Sequence, residues 1–150
     1  MKLTTRGQYS LKALIDLSLQ ANTCPCSARE IAQRQNIPVP YLEKLLIQLR
    51  RAHIVQSIRG AQGGYKLARS PKTIFVGEIL RAVNEPLQSH LDLPPQTDSQ
   101  AQATNWVTQT LWKRLSQKLI EALDSISLED LYYDARSWQA AQGQDSNFIV

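Results

Sequence analysis

The apolar positions of this chain recur first at helical spacing, then in alternation, then at helical spacing again. Leu11, Leu14 and Ile15, with Ser18 a turn further on, share one face of a helix over roughly residues 8–20. The segment TCPC at 23–26 breaks that helix. Ser27 and Glu30 then have the spacing of a capping box, in which the serine hydroxyl accepts an amide hydrogen of the next turn and the glutamate reaches back to the serine amide. A short helix over about 28–35 follows, burying Ile31 and Ala32. Asn36 suits its end because asparagine tolerates the left-handed conformation there. Pro40 fits the first helical position of the next element, where no amide donor is needed. Leu42, Leu45, Leu46 and Leu49 form a single apolar stripe on it, and Tyr41, Glu43, Lys44, Gln48 and Arg51 lie largely off that stripe.

The period then changes from helical to two. Ile54, Gln56 and Ile58 alternate with Val55, Ser57 and Arg59, and Tyr65 and Leu67 resume beyond GAQGG, whose glycines allow the positive φ angles of a hairpin turn. SPK at 70–72 turns the chain, FVGEILRAV predicts a short helix over about 76–83, and Asn84–Pro86 ends it. The stretch SHLDLPPQTDSQAQATNW, 89–106, is polar and lacks any Lys, Arg or Cys, a composition that favours mobility. Beyond it Leu111, Leu115, Leu119 and Ile126, widened by Trp112, Ile120 and Leu123, predict a helix of five or more turns. SLED at 127–130 repeats the capping-box pattern and opens a last helix from about Leu128, and QGQDSNFIV is expected to fray.

The fold class expected from this order is mainly α with a small β-hairpin: a winged helix-turn-helix over 1–86, a flexible loop over 87–105, and a long dimerisation helix with a C-terminal helix over 106–150. The overall charge of +4 sharpens this. Residues 1–81 hold 13 Lys/Arg against 4 Asp/Glu, and residues 82–150 hold 4 against 9, so the basic part coincides with the turn-linked helices and hairpin. A helix with a polar outer face can enter the major groove, where each base pair shows a distinct donor and acceptor pattern. Cations around it neutralise phosphates, and a glycine-tipped hairpin with one arginine can probe the minor groove. Double-stranded DNA is the expected partner. The alternatives are a helical bundle with a solvated charged face and a winged helix that binds protein. The second should lack Arg59 and the cations around the third helix.

Other chemistries find less support. The glycines of RGAQGGY lead into a strand rather than a helix, which argues against a phosphate cradle. Neither His53 nor His90 has a nucleophile or carboxylate at a spacing that implies catalysis or metal binding, so no enzyme and no metal site is expected. No apolar run approaches the ~20 residues of a membrane span. Lys12 and Asp16 interrupt the first apolar stretch, so it does not read as a signal peptide and the expected compartment is the cytoplasm. The long stripe would stay partly exposed on a monomer, and a homodimer would cover it. The competing arrangement folds Trp106 and Trp112 back onto the N-terminal core.

The segments MKLTTRGQYSLKAL, IAQRQNIPVPYLEKLLIQLRRAHIVQSIRGAQGGYKLAR and TIFVGEILRAVNEP, with LWKRLSQKL and SLEDL, resemble the IscR-like Rrf-two family of bacterial transcription regulators over nearly the whole chain. The resemblance implies a winged-helix homodimer on a pseudo-palindromic promoter site, with the long helix crossing its copy through Leu111, Trp112, Leu115, Leu119 and Leu123. It implies that Tyr41, Glu43 and Lys44 open the recognition helix, that Arg59 enters the minor groove, and that Lys2, Thr5 and Arg6 touch the backbone. Arg50 and Arg51 are candidate phosphate contacts from their own charge. Iron–sulfur members of the family place three cysteines before the long helix and a histidine three residues after the last. At those last two positions this chain has Trp106 and Gln109, and 89–106 contains no cysteine. Neither side chain can replace thiolate or imidazole at such a centre, so no cofactor is expected. Cys24 and Cys26 are either a thiol switch or two unremarkable thiols in a turn. Cysteines one residue apart rarely meet disulfide geometry.

Overall fold

The structure is a computed structural model that describes residues 2–87 and 99–147. Its elements are α1 (Thr5–Leu19), α2 (Ala28–Gln35), α3 (Val39–Arg51), β1 (Val55–Ile58), β2 (Gly64–Leu67), α4 (Val76–Ala82), α5 (Gln102–Ser125) and α6 (Leu128–Asn147). Short 3₁₀ turns at Pro71–Thr73 and Ser99–Ala101 precede α4 and α5. This is the expected mainly helical chain with one two-stranded antiparallel hairpin, in which Val55 faces Leu67 and Ile58 faces Gly64.

The core forms where the apolar stripes converge. Leu14 and Leu17 of α1, Ile31 of α2, Leu42, Leu46 and Leu49 of α3, Ile54 before β1, Ile79 of α4 and Leu128 at the start of α6 are all buried. Both capping boxes form. Ser27 Oγ accepts from the Glu30 amide at 3.1 Å and Glu30 Oε2 from the Ser27 amide at 2.7 Å; Ser127 and Asp130 repeat the exchange at 3.1 and 2.9 Å. The Ser27 amide that donates to the carboxylate, and then the Ser27 hydroxyl beside it, hold the Glu30 carboxyl below its ordinary range. Asn36 ends α2 at φ 54°, ψ 51°, the left-handed conformation its side chain tolerates.

Three boundaries differ from the sequence expectation. α1 begins at Thr5, three residues early. α5 begins at Gln102 rather than near Trp106. Gln102 and Ala103 are favourable helix formers, so the first turn forms without an apolar stripe to mark it, and the Thr104 and Thr108 hydroxyls turn back to the carbonyls of Ala101 and Thr104. α6 continues to Asn147, through much of the segment expected to fray. His90, Pro94 and Pro95 lie outside the described residues.

The two long helices are placed differently. The link between them is stitched to the segment entering α4: the Val76 amide donates to the Ile126 carbonyl at 2.9 Å and the Leu128 amide to the Ile74 carbonyl at 2.7 Å. From there α6 packs across α1, while α5 runs beside α4 and buries none of its residues. A bidentate pair, Arg81 to both Asp124 oxygens at 2.8 Å, holds α5 to α4. The pair lowers the Asp124 carboxyl below its usual range.

Candidate nucleic-acid interface

The helix-turn-helix is built from α2, the turn at Asn36–Pro38 and α3. The Ile37 side chain is buried and its amide returns to the Ala32 carbonyl at 3.0 Å, which closes the turn. α3 opens at Val39 with Pro40 in its first turn. Its leucine stripe faces the core, so helical geometry turns Glu43, Lys44, Arg50 and Arg51 to solvent. Tyr41 behaves differently: it is half-buried and meets the Tyr9 ring edge-on, centroids 5.7 Å apart. That contact fixes the start of α3 against α1 and leaves part of the ring available.

An open groove of about 340 Å³ runs along this face, with Leu45 and Ile47 of α3 as its aliphatic lining beside Arg6, Tyr41, Lys44, Gln48 and Arg51. Arg6 comes from α1 and the other four from α3, so the fold brings together cations 38 to 45 residues apart in sequence. Arg6 donates to the Asn84 carbonyl at 3.0 Å, which limits where its guanidinium can swing. Lys2 and Thr5 are exposed beside it.

What holds this N-terminal segment was not visible in the sequence. Thr4 stands at the N-cap of α1 but makes no side-chain cap, and the first turn has no acid. The buried Glu85 carboxylate fills that role from 81 residues away, accepting from the Thr4 amide at 2.8 Å and from the Thr4 hydroxyl. A Cβ on Gly7 would lie 2.8 Å from Glu85 Oε2, so glycine at residue 7 leaves room for the carboxylate at the helix start. A second missed network joins α1 to α2. Asp16, buried, accepts from Arg34 Nε at 3.0 Å, from Arg34 Nη2 at 2.8 Å and from Gln35 Nε2 at 2.9 Å.

The hairpin projects next to α3. Arg59 stands exposed in the turn between β1 and β2, where the Gly63 amide donates to the Gly60 carbonyl at 3.0 Å. At its base Arg69 pairs with Glu78 of α4 and donates to the Thr73 carbonyl. The other edge of β2 rests on the TCPC turn. The Cys26 amide donates to the Tyr65 carbonyl at 2.9 Å and the Tyr65 amide to the Cys26 carbonyl at 2.7 Å. Cys24 and Cys26 face each other there, sulfur to sulfur at 2.9 Å. His53, exposed after α3, takes φ 58° and turns the chain from helix into β1.

On α5 Leu111 and Leu115 are 49% and 44% exposed, and Trp106 and Val107 more so at 67% and 57%. Trp106 therefore does not fold back onto the core. Trp112 and Leu119 are half-buried, and Leu123 packs against Val76 and Leu80 of its own chain. The exposed stripe is thus Val107, Leu111 and Leu115 with Trp106 beside it, shifted one turn N-terminal of the stripe expected from sequence. Gln109 is exposed on the same helix. Among the described residues no three His, Cys, Asp or Glu side chains are grouped to share a metal ion, and no helix is long and apolar enough to cross a membrane.

The helix-turn-helix, the two-stranded hairpin and the long helix agree with the comparisons to known proteins. The family model Rrf2, described as an iron-dependent transcriptional regulator, matches residues 3–134. A candidate HTH-type transcriptional regulator of Synechocystis sp., slr0846, is 57% identical over 150 residues, covering all of both chains. Among solved structures, IscR of T. potens is similar at TM-score 0.74 and 38% identity, covering 93% of this chain and 91% of that one. CymR of B. subtilis, the global cysteine regulator, is similar at TM-score 0.74 and 36% identity, covering 89% and 97%. Helix-turn-helix, wing and long helix lie in the same order as the sequence segments that resemble the family. The chain belongs to the Rrf2 (Rrf-two) family of winged helix-turn-helix, DNA-binding transcription regulators, not to a family of enzymes.

Proposed function

We propose that the protein is a homodimeric, sequence-specific regulator of a pseudo-palindromic promoter site, and that it works without an iron–sulfur cluster of the family's arrangement. The observation that carries the DNA contact is the convergence of Arg6, Lys44 and Arg51 on one groove, with Arg59 exposed on the neighbouring hairpin. In this reading Glu43 accepts from a cytosine amino group in the major groove. Arg59 enters the minor groove, where its charge meets a narrow, electronegative channel. Lys2, Thr5, Arg6, Lys44, Arg50 and Arg51 contact phosphates and sugars and set the register. Tyr41, held by Tyr9, braces the start of α3.

The dimer reading is supported by the uncovered stripe on α5. A two-fold pairing through it would present two recognition helices to half-sites about one or more helical turns apart. The reading that no cluster is held rests on the donor set: the family's last two ligand positions are Trp106 and Gln109, which supply neither thiolate nor imidazole. Protein purified without oxygen should be colourless and free of stoichiometric iron and sulfide.

Selection of bound DNA from a random pool tests the whole proposal. Affinity for the selected site should fall by several powers of the salt concentration. Arg59→Ala should weaken binding about tenfold or more, and Glu43→Ala should relax base preference more than affinity. Binding that ignores salt, or that survives Arg59→Ala unchanged, would refute it.

A further inference from the structure

The TCPC turn makes two features of the molecule meet that the DNA-binding reading leaves unused: a pair of thiols and the inner edge of the wing. Cys24 and Cys26 stand with their sulfurs 2.9 Å apart. Two thiolates on one tetrahedral metal ion, with bonds of about 2.3 Å, would stand roughly 3.7 Å apart. The observed spacing is closer than such a chelate provides and lies on the way to the about 2.0 Å of a disulfide. Cys26 is buried, while Cys24 is half-buried and reachable from solvent. The fold thus orders the pair as an outer thiol that meets a reagent and an inner thiol that resolves it.

The geometry points to a dithiol–disulfide site at Cys24 and Cys26 that exchanges with low-molecular-weight disulfides and is read by the wing through the Cys26 backbone. The step balances as follows. The Cys24 thiolate attacks one sulfur of the small disulfide, forming a mixed disulfide and releasing one thiol, which takes up the Cys24 proton. Cys26, losing its proton to solvent, then attacks Cys24 Sγ and expels the second thiol. Two cysteines are oxidised, one small disulfide is reduced to two thiols, and no other reactant is needed. Burial, then the adjacent Cys26, push the Cys24 thiol up to about 12, with Arg34 pulling the other way. Little Cys24 thiolate is present near neutral pH, so exchange at the site is slow.

The wing is the part placed to respond. Both peptide groups of Cys26 that could move are bonded to Tyr65, at 2.9 and 2.7 Å. The next residue back, Gly64, packs so closely that a Cβ there would lie 2.5 Å from the Cys26 carbonyl carbon and oxygen. Closing the sulfurs by about 0.9 Å draws on this turn, and a displaced Cys26 displaces the start of β2 with it. Gly64 follows the turn that carries Arg59. The consequence for DNA rests on the reading of Arg59 given above; the disulfide and its effect on β2 do not.

The test uses the full chain, held without oxygen in either dithiothreitol or oxidised glutathione. Intact mass after alkylation should show two added alkyl groups in the reduced sample, and in the oxidised sample a monomeric chain with none, about 2 Da lighter than the unmodified dithiol. Hydrogen exchange at the Tyr65 amide, which donates to Cys26, should change by roughly fivefold or more between the two states. Affinity for DNA selected with the reduced protein should differ by roughly threefold or more. All three differences should vanish in Cys24→Ser, the milder variant because Cys24 is not fully buried. A lasting glutathione adduct, chain-to-chain disulfides alone, or an internal disulfide that leaves Tyr65 exchange unchanged would each overturn the proposal. If Tyr65 responds but neither state binds DNA, the dithiol site stands and the DNA reading of the wing falls.

Discussion

Consider Leu111→Ala with Leu115→Ala, the centre of the uncovered stripe on α5. The exposed fractions, 49% and 44%, add to nearly one whole leucine side chain per subunit. Burying one such side chain contributes about 1.5–3 kcal/mol. In a two-fold interface each subunit contributes the same patch, so the pair of substitutions should cost the dimer ~3–6 kcal/mol, less what the remaining Cβ atoms retain. That corresponds to a roughly hundredfold to ten-thousandfold weaker dissociation constant. Because Leu111 and Leu115 are exposed in their own chain, the subunit fold should be nearly untouched, and far-ultraviolet circular dichroism should match the parent. Sedimentation equilibrium from high nanomolar to tens of micromolar protein reads the constant directly. A parent protein that stays monomeric across that range, or a double variant with an unchanged constant, defeats the argument that a second copy covers this stripe.

Three further outcomes test what holds α1, α2 and α5 in place. Asp16→Ala should destabilise the fold by about 1.5–3 kcal/mol in urea denaturation, because Gln35 and Arg34 lose their acceptor; Arg34 is partly exposed and can turn to water, which keeps the cost below that of a fully buried pair. A change below about 0.5 kcal/mol would show the network to be ornamental. Glu85→Ala should cost ~1–2 kcal/mol through the lost cap on α1, and should weaken DNA binding in parallel with Arg6→Ala; stability lost without any effect on binding separates a purely structural role. The Arg81–Asp124 pair sets a pH dependence: with the folded carboxyl held below its ordinary 3.8, its contribution is complete above that value and disappears as pH falls through the lowered one. The stability difference between parent and Asp124→Asn should therefore be flat from about pH 5 to 7 and shrink below 3.8; a difference that grows on acidification contradicts the assignment.

Element types and order were readable because each rests on local physics. The stripe Leu42, Leu45, Leu46, Leu49 can bury one face only as a helix, and Ser27–Glu30 and Ser127–Asp130 cap their helices with partners three residues away. Exposure of Lys44 and Arg51 follows from the same periodicity. Boundaries were less legible where nothing apolar marks them, as at Gln102 and at the end of α6. The position of the exposed stripe on α5 also escaped. Leu123 has the same spacing as Leu111 and Leu115, yet α4 covers it, and no periodicity distinguishes a neighbour in the same chain from one in another.

By itself the sequence determined that this is a basic helix-turn-helix with a glycine-tipped wing, followed by an acidic, long-helix region, because periodicity, caps and charge act over a few residues. Only the tertiary structure decided which distant groups meet. Glu85 caps α1 from 81 residues away, Asp16 joins Arg34 across two helices, Arg6 enters the groove of α3, and the Cys26 backbone becomes the partner of β2. Such pairings depend on how the buried faces stack, and the desolvated carboxylates and amides then take whatever partners that stacking brings within reach.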